Sequence, residues 1–102
     1  MQIWRMKADG SDPEQMTFDA HSNWFAHIAP NNKVATIITY VEDQKQSHPF
    51  GHQVKLRLLD LKTKKVKDLT EAFYGGQGTI NVPSWSPDGK KFAYVRYALE
   101  DL

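Results

Sequence analysis

The side chains that could do chemistry in this 102-residue chain are few and widely spaced. His48 and His52 stand four apart, the interval at which a helix would bring both rings to one metal ion. Pro49 and Gly51 lie between them and break a helix, and no third ligand follows at a matching spacing. The pair reads as solvated loop histidines, and no metal site is expected. Asp9-Gly10-Ser11-Asp12 offers oxygen atoms but lacks the alternating acids and distal glutamate of a calcium loop, so it reads as a turn. Tyr74-Gly75-Gly76-Gln77-Gly78-Thr79 is glycine-rich without the Gly-Lys-Ser/Thr ending of a phosphate loop. Its plain reading is a connecting loop whose glycines permit tight turns. Its sharper reading is a binding loop that offers backbone N–H groups and Gln77 to a ligand. Ser84 and Ser86 sit in no Gly-x-Ser-x-Gly elbow, and no motif pairs two carboxylates. Catalysis is not expected, and no cofactor is implied.

The elements that would position these residues are strands. Val82 to Tyr97 reads V-P-S-W-S-P-D-G-K-K-F-A-Y-V-R-Y. Pro87 presets the first turn position and Gly89 can take positive φ, with Trp85 before the turn and Phe92 to Val95 after it, so the unit is a β-hairpin. A second copy lies 57 residues earlier, where Pro30-Asn31-Asn32-Lys33 precedes the β-branched run Val34 to Val41. A second register, 53 residues apart, sets Thr17 on Thr70, Met16 on Leu69 and Ile3 on Leu56. Glu42 to Gln53 and Ala72 to Asn81 read as loops, and Val54 to Leu61 and Val66 to Thr70 as strands joined by the basic turn at Lys62 to Lys65. Lys62, Lys64, Lys65 and Lys67 are flanked by Asp60 and Asp68, with no interleaved aromatics, and read as a solvated hairpin tip.

Thirteen basic and twelve acidic residues leave a formal net charge of +1, which gives no electrostatic reason to expect nucleic acid or an anionic membrane as partner. The longest apolar run, Val34 to Val41, is far short of the roughly 20 residues of a spanning helix, so no membrane insertion is expected. The residues after Met1 do not read as a signal peptide. Cysteine is absent, which excludes disulfides and thiolate metal sites within the chain.

Trp85-Ser86-Pro87-Asp88-Gly89-Lys90-Lys91-Phe92-Ala93-Tyr94-Val95 resembles the hairpin repeat of TolB-like propellers, the WD40-like or PD40 repeat. Gln2-Ile3-Trp4-Arg5-Met6-Lys7-Ala8-Asp9-Gly10-Ser11 resembles the strand and turn that complete a blade in the same family. The resemblance implies an all-β chain of four-stranded antiparallel propeller blades, about two blades' worth from the C-terminal part of such a protein. Residues 1–20 would be the second hairpin of one blade, 21–70 a complete blade, and 71–102 a loop and the first hairpin of the next. Residues 29–33 depart from the Ser-Pro-Asp-Gly-Lys pattern, and Ala35 stands where a bulkier residue is usual.

The function implied is that of a bacterial, periplasmic or otherwise extracytoplasmic, non-enzymatic scaffold that binds a protein, peptide or glycan. The binding residues would be Tyr74, Gly75, Gly76, Gln77, Gly78 and His48, in loops at the channel mouth. Trp24, Trp85, Tyr94 and Tyr97 would pack within blades. The alternative is part of the gating propeller of a prolyl oligopeptidase-type serine hydrolase, whose triad lies in another domain. Exposed blade edges at both ends would favour self-association, with three chains completing a six-bladed ring.

Overall fold

The computed structural model describes residues 1–97. Strands β1 (Trp4–Arg5) and β2 (Glu14–Gln15) form a small hairpin. Strands β3 (Ser22–Ile28), β4 (Val34–Tyr40), β5 (Phe50–Asp60) and β6 (Val66–Asp68) lie in that order in an antiparallel sheet, and β7 (Phe73–Gly76) pairs with β5. The eleven residues of β5 therefore serve two neighbours, β6 along the C-terminal half and β7 along the N-terminal half. No helix forms among the described residues.

Strand β4 is buried on both faces, which accounts for its β-branched composition without polar alternation. On one face Ile38 and Tyr40 lie opposite Leu56 and Val54, and Phe73 and Ile80 close over them, with Trp24, Phe25 and Phe92 packed alongside. That cover comes largely from the chain after residue 70. On the other face Ala35, Ile37 and Thr39 lie opposite Leu59, Arg57 and Lys55.

Residues 2–19 are tied to this second face by a polar network, and Met16 among them is fully buried. Arg57 donates to Asp19 at 2.6 Å, to Asn23 at 2.8 Å and to Thr39 at 2.8 Å. Asn23 donates onward to Asp19 at 2.9 Å and to Gln2 at 3.1 Å, while Thr17 donates to Gln2 at 2.6 Å. Burial works to raise the Asp19 pKa, but the Arg57 and Asn23 hydrogen bonds, the Arg57 charge and the His21 N–H together outweigh it, and the carboxyl sits below its ordinary value.

Both registers of internal similarity reappear as hydrogen bonds. Met16 N–H donates to the Ile3 carbonyl at 2.7 Å, and Leu69 N–H to the Leu56 carbonyl at 2.8 Å. Thr17 Oγ1 accepts from Ile3 N–H at 2.9 Å, as Thr70 Oγ1 does from Leu56 N–H at 3.1 Å. In the other register Asn32 and Gly89 occupy the left-handed region at φ 58° and 72°, and each N–H closes the turn at 2.9 Å, on Ala29 and Ser86. Asn is the residue after Gly that tolerates this conformation best, so the turn survives the exchange.

Several boundaries differ from the sequence reading. Residues 72–81 are not all loop, because Phe73, Tyr74, Gly75 and Gly76 of β7 all pair with β5. The loop before β5 ends at Pro49 rather than Gln53. The expected strand over Phe92 to Val95 is reduced to one bridge, Trp85 with Phe92, and to the bonds from Ala93 to Ser84 and from Val95 to Thr79. Residues 98–102, the end of the last expected segment, lie outside the described residues.

Candidate functional site

The loop 41–49, between β4 and β5, and the turn 76–79 after β7 meet at one end of the sheet. Their meeting is fixed by the Pro49 carbonyl, which accepts from the Tyr40 hydroxyl at 2.8 Å and from Gln77 N–H at 3.2 Å. Tyr40 is fully buried, and burial pushes its pKa up to about 12, so it stays a neutral donor. Gly76 passes this point at φ +124°, where any Cβ would collide with the Pro49 carbonyl oxygen. A glycine is thus required there by contact as well as by backbone conformation. Thr79 completes the turn: its hydroxyl oxygen accepts from Gly76 N–H at 3.0 Å.

The sequence reading is changed at the histidines. His48 is a packed ring: it meets Trp24 edge-on at 4.6 Å between centroids and Phe25 at 5.0 Å, and its Nδ1–H donates to Gln77 Oε1 at 2.5 Å. Phe25 reaches it because β3 carries a bulge between Trp24 and His27, with Phe25 itself at φ +53°. His52 lies within β5, edge-on to Tyr40, not in a loop. Among the described residues no three His, Asp or Glu side chains come together as metal ligands would.

Of the residues singled out from the sequence, His48 and Gln77 are joined directly, while Tyr74, 41% exposed, packs against Phe50 and over Gly51. Gly75 and Gly76 are buried in β7 and act as spacers, not as presented N–H groups. Gly78 lies against the Tyr97 hydroxyl and donates its N–H to Asn81 at 3.1 Å. Tyr97 is packed here as well: its ring meets Phe50 at 4.8 Å and Phe50 meets Tyr74 at 5.3 Å, which makes an aromatic row at this end. Phe50, Gln53 and Glu42 were not legible as site residues; the one available signal was a glycine, Gly51, set between an aromatic and a histidine.

No family model matches the chain. It is 44% identical over 97 residues to the uncharacterized protein Atu1656 of Agrobacterium fabrum, an alignment covering 95% of this chain and 32% of that protein. It is also similar to a solved structure of a "putative TolB" from Agrobacterium tumefaciens, with a TM-score of 0.89 and 41% identity over 98% of this chain and 35% of the other. The chain spans about a third of the length of the proteins it matches. Its fold is all-β, built of antiparallel propeller blades.

Proposed function

We propose that this chain is a segment of a non-enzymatic, TolB-like propeller that works in the periplasm or another extracytoplasmic space. It serves as a scaffold that binds a protein or polymer at the end of the blade where loop 41–49 meets turn 76–79. The observation that supports this most is the His48–Gln77 contact. It locks two loops together at the end of the sheet where Phe50, paired with Gly76, and Tyr74, packed against Phe50, are exposed. Exposed aromatics held on a fixed backbone offer large contact area at small entropic cost, which is what a recognition surface requires. Neither similar protein supports the alternative of a hydrolase gating domain. Affinity enrichment from an extracytoplasmic fraction tests the reading, with wild-type protein set beside a Tyr74→Ala/Gln77→Ala variant of matching circular dichroism. A species retained by the first and lost by the second is expected; identical retention by both would contradict the assignment.

A further inference from the structure

An open cleft of about 430 Å³ lies beside the aromatic row, lined by Glu42, Gln44, His52, Gln53 and Tyr74 over Gly51. That volume is in the range of small-molecule sites, roughly 300–1,000 Å³. Its polar side chains are nearly all uncommitted. Among the described residues the side-chain hydrogen bond made within this set is from Gln44 Nε2 to the Glu42 backbone carbonyl, at 3.2 Å. The Glu42 carboxylate, the Gln53 carboxamide, the His52 ring nitrogens and the Tyr74 hydroxyl have no partner there.

The mixture of groups selects the ligand class. An ammonium or guanidinium only donates and would leave the Gln53 NH₂ and a His52 N–H unmatched; a phosphate only accepts and would face Glu42. Hydroxyl groups do both. The floor suits a ring with an apolar face. Tyr74 lies over Gly51, where an added Cβ would stand 3.1 Å from its hydroxyl, and Phe50 meets it edge-on and fixes its orientation. A peptide could satisfy the same donors and acceptors, but the β5 backbone at the cleft is already paired on both sides and offers it no strand to extend. Val41 N–H already bonds the Gln53 carbonyl, and Gln53 is paired with Tyr74 in the sheet.

We propose that this cleft binds a neutral sugar ring of a glycan, with the ring's C–H face on Tyr74 and its hydroxyls shared among Glu42, Gln53 and His52. The proposal rests on reading this end of the sheet as the binding end and names the ligand class.

The test is a titration of ¹⁵N-labelled protein with cellotetraose, maltotetraose and chitotetraose, followed by amide shifts. At least one sugar should give saturable shifts centred on residues 42–44, 51–53 and 74. Tyr74→Ala should then weaken binding about tenfold, the loss of roughly 1.4 kcal/mol of stacking and burial. Gln53→Ala, an exposed change that leaves the backbone pairing intact, should weaken it severalfold, whereas Lys33→Ala, in the exposed turn at the opposite end of the sheet, should leave it unchanged. No saturable shift with any of the three sugars up to about 10 mM, a range that reaches weak single-ring binding, would overturn the proposal. So would shifts indifferent to both cleft variants, or the same amides responding instead to an uncharged peptide. If the sugars fail while enrichment still depends on Gln77, the glycan proposal falls and the binding-end reading stands.

Discussion

Gln77 meets His48 side chain to side chain across 29 residues of sequence, its Oε1 accepting from the imidazole Nδ1. The imidazole is held in turn by Trp24 and Phe25, so a bulge in β3, the loop before β5 and the turn after β7 share one junction. Gln77→Ala should free loop 41–49 without unfolding the sheet, because the bond is solvent-exposed and worth about 1 kcal/mol or less. Hydrogen exchange at residues 44–48 should accelerate while that of β4 stays unchanged.

Gly76→Ala should be far more damaging. The new methyl group would meet the Pro49 carbonyl at a positive φ, and a loss of about 3 kcal/mol or more is expected in denaturant melts. Gly10→Ala is the control. Gly10 also has positive φ, at +86°, but an added Cβ meets nothing within 4 Å, so about 1 kcal/mol is expected.

Arg57 ties residues 2–19 to the sheet, and its side chain is only 12% exposed. Arg57→Ala would strand Asp19 and Asn23 without their main donor and should cost about 3 kcal/mol. The pH dependence follows from the lowered Asp19 pKa. The stabilisation is fully present above the unfolded value near 3.8 and is lost as pH falls through the still lower folded value. Urea melts from pH 6 to pH 2 should show wild type losing stability below about pH 4, with Asp19→Asn losing less over the same interval. Asp9, Glu14, Asp43, Asp60 and Asp88 are also held low, so wild type should keep the larger slope and the difference between the two proteins isolates Asp19.

The outer faces of the described residues carry apolar side chains without cover: Trp4, Met6 and Phe18 near the first hairpin, Val82 and Val95 near the last. Copies of this polypeptide should therefore associate, and light scattering should give a mass above 11.7 kDa that rises with concentration. Val82→Glu with Val95→Glu should shift that rise to higher concentration. A monomer throughout the series would count against self-association.

Turn chemistry and period were legible in the sequence because they are local. Pro30 and Pro87, with Asn32 and Gly89, announced two equivalent turns, and Thr17 and Thr70 a second equivalence. What escaped was set by contacts between distant segments. β7 ends in glycines that argue for loop, yet Phe73 and Tyr74 find the N-terminal half of β5 and pair with it. His48 looked solvated because nothing in its neighbourhood of sequence reveals that a positive φ at Phe25, 23 positions earlier, turns an aromatic ring toward it. Phe92 to Val95 has strand composition, but few partners lie beside it among the described residues, so only a single bridge forms.

The most direct measurement is photo-cross-linking from defined positions at opposite ends of the sheet, with a photoreactive residue placed at Gln77 or Tyr74 in one set and at Thr63 or Lys33 in the other. Exposure to an extracytoplasmic fraction should yield discrete adducts from Gln77 and Tyr74 that Thr63 and Lys33 do not form. Adducts formed chiefly from Thr63 and Lys33, or none from Gln77 and Tyr74, would contradict the placement of the binding surface at the His48–Gln77 junction.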